Sequence, residues 1–437
     1  MRAKRFFSKQ VRREQSRYAF LAALLIVALL LTGCAVETEI VVPENTPLPE
    51  PEGLRIAVAS DLHLNPDNTE KGEEVYAVLY SPELLDALLW DARQQEAEIL
   101  LLTGDLVNDG KQHRLDLLAE KLHQAEETGM DVYVLPGNHD LGPATQTDFA
   151  ATLEDFGFAE AFSRDPASLS YCVIRDGLMI LMMDTGGYGA RCIDLPGAEI
   201  PESEDAFFSE KTLSWVERML KTAGERDLHV LCAGHYNLLT DISRQPESGF
   251  FVENGPQFAD LLREYRVPLY LSGHMHTRGY YRENGLSELL TEYLLSYPTG
   301  YSILDLTESG IGYQPRRVNV DAWAVETGEE DPHLIGFAAW QQQVLYDYSR
   351  ENVEFMAERN PMSRGRARKA TEFFYTVMSD FWDGSLNAKR EELKRMPGYE
   401  PFFLCAEGFA YGWWLKDLIE TAPPELAGFS LPWITKG

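Results

Sequence analysis

Five short motifs, each set directly behind a brief apolar run, constrain this chain more than any other feature of its 437 residues. In order they are Asp61-Leu62-His63, Gly104-Asp105, Gly137-Asn138-His139-Asp140, Gly234-His235 and Gly273-His274-Met275-His276. They gather five of the nine histidines in the chain. The runs ahead of them span residues 54–60, 98–103, 131–135, 229–233 and 268–272. Continuous apolar runs of this length, alternating with helical patterns, predict strands covered on both faces. In open α/β sheets, ligands collect at the carboxyl ends of the strands, and all five motifs fall there. On an extended segment the two members of Asp61-x-His63, or of His274-x-His276, point the same way. Glycines 104, 137, 234 and 273 give the backbone freedom to turn at these points.

Carboxylate, imidazole and amide groups in this number suffice to hold two divalent metal ions. A set of oxygen and nitrogen donors without thiolate suits Mn²⁺, Fe²⁺, Zn²⁺ or Co²⁺, and Mn²⁺ is the first expectation. Metal pairs so held activate water against phosphate esters. The formal net charge of -30 excludes a duplex nucleic acid as a partner over most of the surface. A phosphate-handling site in so acidic a chain needs its own local positive charge.

The remaining expectations concern organisation. Further strands are expected at 168–174, 178–183 and 301–306, and helices at 82–97, with Ser81 as N-cap, and at 112–128. Beyond about residue 309 the patterns turn mainly helical, as in 332–359 and 367–381, and tryptophans 323, 340, 382, 413, 414 and 433 read as core. Basic residues 2, 4, 5, 9, 12, 13 and 17 precede an apolar run at 19–31 and then Leu31-Thr32-Gly33-Cys34. That order describes a secretory signal. Its cysteine makes it similar to a bacterial lipoprotein signal, which implies cleavage before Cys34, a diacylated Cys34 and anchorage to the cell membrane facing outside the cytoplasm. An uncleaved anchor is the alternative, but the run is short for a span of about 20 residues. Pro43, Pro47, Pro49 and Pro51 among glutamates predict an extended tether. The expected division is thus a signal (1–33), a tether (34–53), a catalytic unit (54–308) and a mainly helical C-terminal appendage (309–437). Cys172, Cys192, Cys232 and Cys405 allow three disulfide pairings; Cys172 and Cys192 are nearest in sequence, and Cys232, inside an apolar run, reads as a buried thiol.

The ordered set DxH, GD, GNHD, GH and GHxH resembles the calcineurin-like metallophosphoesterase superfamily over residues 54–306. The resemblance implies a four-layered α/β/β/α sandwich. It implies one metal on Asp61, His63 and His276, a second on Asn138, His235 and His274, and Asp105 bridging the two. It also implies hydrolysis of a phosphate ester by a hydroxide held between the metals, with His139 protonating the leaving alkoxide. Charge arithmetic agrees: two divalent cations, two carboxylates and a hydroxide leave about one positive charge to attract phosphate. Many relatives carry an aspartate three residues after the bridging one, where it orients the catalytic histidine. Here Asn108 stands there, a neutral hydrogen-bond acceptor for His139. Asn108 also departs from the tyrosine ligand of purple acid phosphatases. Ser60-Asp61-Leu62-His63-Leu64 and Asn108 most resemble the phosphodiesterase-type branch, which includes cyclic-nucleotide and glycerophosphodiester hydrolases. A phosphomonoesterase of the same fold and a non-catalytic surface binding lipoprotein are the alternatives.

Several polar residues stay outside this scheme. His113, His123, His229 and His333 read as structural or surface histidines. Asp184 and Arg191 read as turn residues more than as parts of the site. Arg364, Arg366, Arg368 and Lys369 read as a solvated helix start.

Overall fold

The structure is a computed structural model that describes residues 53–67, 77–198, 205–239, 249–386, 388–421 and 428–434. The expected signal segment, Cys34 and nearly all of the expected tether lie outside the described residues. Among the described residues no helix is long and apolar enough to cross a membrane.

Two sheets carry the fold. The first contains β1 (Leu54–Ala59), β2 (Ile99–Thr103), β3 (Asp131–Leu135), β11 (Gly300–Thr307), β12 (Gly310–Arg317) and β13 (Phe429–Pro432), in the order β13-β12-β11-β1-β2-β3. The second contains β4 (Ser163–Arg164), β5 (Tyr171–Arg175), β6 (Leu178–Met183), β7 (His229–Gly234), β8 (Leu269–Ser272), β9 (Gly279–Glu283) and β10 (Leu286–Leu290), in the order β4-β5-β6-β7-β8-β10-β9. β1, β2 and β3 run parallel to one another, as do β6, β7 and β8. The carboxyl ends of five of these six strands, all but β6, carry the motifs.

Strand alternation explains why these runs are apolar throughout. Ile180 and Met182 of β6 face the other sheet, whereas Met179, Leu181 and Met183 face the helices Glu210–Glu225 and Gly255–Glu264. Helices Ser81–Gln94 and Gln112–Glu126 cover the first sheet through Leu84, Leu88, Leu115, Leu118 and Leu122. The order is therefore helix, sheet, sheet, helix, as the resemblance implies. The sheets touch at Tyr171, whose hydroxyl donates to the Val134 carbonyl at 2.8 Å.

Three expectations need correction. Ser81 is the first residue of its helix, not the cap; its hydroxyl accepts from the Asn65 amide at 2.9 Å and so pins the loop that follows His63. The helix expected to reach residue 97 ends at Gln94, because Glu96 takes a left-handed backbone (φ 58). The first sheet also continues past residue 308, where the catalytic unit was expected to end. β12 pairs with β11 along its whole length, and β13, contributed from the far end of the chain, pairs with β12.

The helical region has its own core. Phe373, Phe374, Val377 and Phe402 pack with Leu345, Val353 and Met356 between the helices Phe337–Arg359, Arg364–Trp382 and Tyr399–Cys405. Most of the tryptophans lie in or against a core as expected, with Trp382 and Trp414 packed against that of the helical region. Trp323, Trp340 and Trp433 join the core of the first sheet, while Trp413 is exposed. Trp433 donates from its indole to the Thr307 carbonyl at 2.8 Å and stacks on His229 at 4.1 Å. Trp433→Ala removes both contacts and opens a void against the sheet; it is expected to cost about 3–5 kcal/mol of stability, read from urea unfolding.

Candidate metal centre

Each motif residue is delivered by a loop that leaves the carboxyl end of its strand. Asp61 and His63 follow β1, Asp105 follows β2, Asn138 and His139 follow β3, His235 follows β7, and His274 and His276 follow β8. Main-chain bonds lock the loops together. The Asp61 amide donates to the Gly104 carbonyl (3.0 Å), the His63 amide to the Asp105 carbonyl (2.9 Å), and the Gly273 amide to the His235 carbonyl (3.0 Å).

The i, i+2 pairs do not lie on extended backbone as expected. Asp61, His63, Asp105, His274 and His276 all have left-handed φ, between 41° and 64°. For a non-glycine residue this conformation costs of order 1–3 kcal/mol and clusters at functional sites. The glycines also act differently from the expectation. Of the four, only Gly104 needs its positive φ of 92°. At Gly137 a Cβ would run into the Asp105 carboxylate, and at Gly273 into Ser60 Oγ and the Asp61 carboxylate. These two glycines leave room for ligands.

The ligand atoms converge in two overlapping groups: Asp61, His63, Asp105 and His276, then Asp105, His235 and His274, with the atoms of each group within 4.8 Å of one another. His63 Nε2 lies 3.8 Å from Asp61 Oδ1 and 3.5 Å from Asp105 Oδ2. His276 Nε2 lies 3.2 Å from Asp61 Oδ1, and His235 Nε2 lies 3.3 Å from Asp105 Oδ2. Asp61 Oδ1, His63 Nε2, Asp105 Oδ2, Asn138 Oδ1 and His235 Nε2 are all buried without a hydrogen-bond partner. Buried polar atoms are nearly always paired, so five orphans from four loops mark a place for cations. Each carboxylate divides its oxygens in the same way. Asp105 Oδ1 accepts from the His139 amide (2.7 Å) and Asp61 Oδ2 from the His274 amide (3.0 Å), which leaves one oxygen of each for metal. Second nitrogens fix the tautomers. His235 Nδ1 donates to the Thr103 carbonyl (2.8 Å), leaving Nε2 as the ligand atom; His274 Nε2 donates to the Gly249 carbonyl (2.8 Å), leaving Nδ1.

The electrostatics of the metal-free site match that role. Burial pushes the Asp61 and Asp105 carboxyls up, but the adjoining imidazoles, His276 and His63 for Asp61 and His235 for Asp105, outweigh it and hold both below the usual carboxylate range. Burial likewise works against a charged His235, yet the Asp105 carboxylate raises it to about 9. Burial and the charge on His235 lower His274 to about 4. A proton on His235 thus stands where a cation would balance the carboxylates. Asp140, pushed up to about 7 by burial and by Asp105, accepts from the amides of Val107 and Gly137 and ties the β2 loop to the β3 loop.

His139 stands at the rim, edge-on to His63 with ring centroids 4.8 Å apart. Its Nδ1 donates to the main-chain carbonyl of Asn108 at 3.1 Å. This corrects the expected contact through the Asn108 side chain: the backbone supplies the acceptor, and the bond does not depend on residue type. The other polar candidates sit elsewhere. His113 pairs with Asp67, His123 with Asp155 and Glu126, His229 stacks on Trp433, and His333 bonds the Tyr80 hydroxyl. Asp184 braces its own turn by accepting from Leu169, Gly186 and Tyr188. Arg191 is exposed on the short turn Ala190–Cys192. Arg364, Arg366, Arg368 and Lys369 are exposed at a helix start. Cys172, Cys192, Cys232 and Cys405 are all buried free thiols, so none of the three pairings is present; burial pushes the Cys172 thiol up to about 12.

Sequence reasoning missed two tyrosines at the centre. Tyr236 lies against His235 and His274, and Tyr293 against His63 and His276. Tyr236 adjoins a motif and was within reach; nothing in the sequence marks Tyr293.

Two outcomes follow for metal uptake. Below about pH 9 an incoming ion displaces the proton on His235. Apparent affinity therefore rises with pH, by about tenfold per unit where one proton is released, and levels off above that value. Calorimetry in buffers of different ionisation enthalpy counts the proton. Gly273→Ala, which crowds Asp61, is expected to weaken metal binding about 10–100-fold, as loss of a supporting contact does, in the same titration.

Comparison with known proteins agrees with this geometry. The family model described as calcineurin-like phosphoesterase matches residues 54–278, and one described as the C-terminal domain of cyclic nucleotide phosphodiesterase matches residues 319–418. The probable cyclic nucleotide phosphodiesterase of Synechococcus is 25% identical over 289 residues, 65% of this chain and 96% of that protein. Human tartrate-resistant acid phosphatase type 5 is 29% identical over 168 residues, 36% of this chain; the match spans 47% of the human protein and a corresponding one 64% of the pig protein. A dimetal phosphatase from Danio rerio aligns over 61% of this chain and 97% of its own, at 14% identity and a TM-score of 0.49. With two sheets that present a two-metal ligand set at their carboxyl ends, and a family match over more than half its length, the chain belongs to the calcineurin-like phosphoesterases.

Proposed function

We propose that this protein hydrolyses phosphodiesters, cyclic nucleotides first among them, with two divalent metal ions, Mn²⁺ before Fe²⁺ or Zn²⁺. The observation that carries the two-metal reading is the pair of overlapping clusters that share Asp105, in which Asp61 Oδ1, His63 Nε2, Asp105 Oδ2 and His235 Nε2 are buried without a partner. Asp61, His63 and His276 would hold one ion, Asn138, His235 and His274 the other, with Asp105 shared. Ions in these subsites supply Lewis acidity and bring the pKa of water from 15.7 toward about 7. Asp105 keeps the two subsites at a fixed separation because its second oxygen is tied to the His139 amide. That tie also sets the His139 side chain beside the subsite that contains His63.

The reaction forms a bond from phosphorus to a water oxygen and breaks the bond to the leaving ester oxygen. His139 delivers a proton to that oxygen. Its Nδ1 is occupied by the Asn108 carbonyl, so Nε2 carries the proton that is transferred. Preference for a diester rests on two supports. One is the match of residues 319–418 to the C-terminal domain of cyclic nucleotide phosphodiesterase. The other is charge: none of the five motifs that build the site contains an arginine or lysine. A singly charged diester needs less fixed positive charge than a doubly charged monoester. The match to tartrate-resistant acid phosphatase favours the monoesterase reading, and the substrate ratio decides between them. We also infer that a diacylated Cys34 anchors the protein to the membrane, with the acidic 37–53 segment as its tether.

Metal-dependent cleavage of bis(4-nitrophenyl) phosphate is expected, lost on chelation and restored by Mn²⁺. Asp105→Ala is expected to abolish it, and full activity in that variant would overturn the assignment. His139→Ala is expected to lower kcat by about 10²–10⁴-fold, less so for 4-nitrophenolate, a good leaving group, than for a nucleoside alkoxide. A higher kcat/KM for 4-nitrophenyl phosphate than for any diester in the panel would favour the monoesterase. Incorporation of radiolabelled lipid, lost in Cys34→Ala, tests the anchor.

A further inference from the structure

The histidines of the two metal subsites are held in different ways. In the second subsite each imidazole has a carbonyl on its non-ligand nitrogen, Thr103 for His235 and Gly249 for His274. Tyr236 adds a flat stack on His274 (4.0 Å between centroids, 28°) and an edge contact to His235 (5.6 Å, 83°). In the first subsite, among the described residues, neither His63 nor His276 has a hydrogen bond on its other ring nitrogen. What both rings have is Tyr293, stacked flat on His276 (4.3 Å, 23°) and edge-on to His63 (5.1 Å, 80°). The division follows the subsites: one tyrosine lies against each pair of imidazoles.

An imidazole ligates well only when its ring plane contains the metal, so something must fix the ring torsion. Hydrogen bonding to the second nitrogen is the usual device. Where it is missing, a buried ring packed against the imidazole, flat as at His276 or edge-on as at His63, restricts the same torsion through close contact. Tyr293 is 6% exposed. Its backbone forms a bridge to Ser60, next to Asp61, and its carbonyl accepts from the Ser296 amide and hydroxyl at 3.1 and 3.0 Å. The same segment is held at Leu295, whose carbonyl accepts from the Ala77 amide (2.8 Å), and at Thr299, whose hydroxyl accepts from Gln341 (2.7 Å). A ring carried on so well anchored a segment can serve as a fixed wall.

We propose that Tyr293 is the positioning residue of the first metal subsite: its ring sets the planes of His63 and His276 and so the affinity of that subsite alone. This rests on the two-metal reading. Tyr236 has the weaker role, because the Thr103 and Gly249 carbonyls orient His235 and His274 without it.

The test is a calorimetric titration of metal-free full-length protein with Mn²⁺ alone, so that no turnover is needed. Wild type is expected to show two sites. Tyr293→Leu is expected to weaken one of them about 10–100-fold, the scale on which supporting contacts act, and to leave the other within about threefold. Tyr293→Phe, which keeps the ring, is expected to restore both sites. Tyr236→Leu is expected to have a smaller effect, on the other site. Circular dichroism of the metal-free variants guards against general unfolding; if Tyr293→Leu loses its fold, Tyr293→Met, unbranched and better able to fill the space, takes its place with the same expected outcome. Two unchanged sites in Tyr293→Leu, equal weakening of both, or failure of Tyr293→Phe to restore binding would each overturn the inference while the two-metal reading stands. A wild-type protein that takes up no Mn²⁺ would overturn both.

Discussion

Two buried carboxylates hold this structure together at its most strained point. Asp61 is fully buried and Asp105 nearly so, and an uncompensated buried charge is costly. Each spends one oxygen on a main-chain amide from another loop. Asp105 takes the His139 amide and so joins β2 to β3 within the first sheet. Asp61 takes the His274 amide and so joins β1 of the first sheet to β8 of the second. His235 on β7 returns the link by donating to Thr103 on β2. The metal centre is therefore also a seam between the two sheets. The remaining oxygens, Asp61 Oδ1 and Asp105 Oδ2, have imidazole nitrogens as neighbours and no hydrogen bond. Cations there would satisfy the same charges that close the seam, which couples ligation to the stability of the sheet packing.

The left-handed backbone at five ligands is the other side of that arrangement. Short loops must turn within one or two residues of a strand end and still aim a side chain back over the sheet. Residues 61, 63, 105, 274 and 276 do so by adopting positive φ, a conformation that persists only when the surroundings over-determine it. Cross-loop main-chain bonds, the anchoring of Asn65 by Ser81 and the close approach permitted at Gly137 and Gly273 are those surroundings. Freedom in the glycines matters less here than the absence of their side chains.

What the sequence showed and what it hid divide along this line. The six side chains that the structure gathers were legible because a strand end fixes both the residue and its direction, and four strand ends repeat the signal. The path of the backbone at those ends was not legible, since extended and left-handed arrangements both bring i and i+2 to the same place. The β9–β10 hairpin escaped the first reading although Asn284-Gly285, both left-handed (φ 49 and 90), is a turn signal of the usual kind. β13 was out of reach for a different reason. Its partner β12 lies more than a hundred residues earlier, and a four-residue strand with alternating burial carries no local mark of that pairing. Asn108 shows the limit of reading a role from residue type: the position faces His139, but through a carbonyl that any residue would provide.

The helical region reaches toward the centre on the side of the first subsite. Arg278, two residues past His276, is buried in an ion pair with Glu292, next to Tyr293, and reaches the Asp383 carbonyl at the end of the helix Arg364–Trp382 at 3.4 Å. Arg317 at the end of β12 bonds the Asp383 carboxylate at 2.6 Å, and Gln341 reaches Thr299. The Arg278 and Gln341 contacts land on the segments that carry His276 and Tyr293, the first subsite, and the Arg317 contact ties the same helix end to β12. The second subsite is braced from within the sheets instead. Buried Glu288 on β10 accepts from the Leu238 and Leu239 amides after His235 and from the Ser272 hydroxyl ahead of His274. A buried charge pair is weak evidence for stability, and this one leaves Arg278 Nε and Glu292 Oε2 without a hydrogen-bond partner. Its contribution is connection: Arg278, between Glu292 and the Asp383 carbonyl, ties the appendage to the loop of His276. Through Arg278 and Gln341 the last third of the chain thus braces the segments that carry His276 and Tyr293.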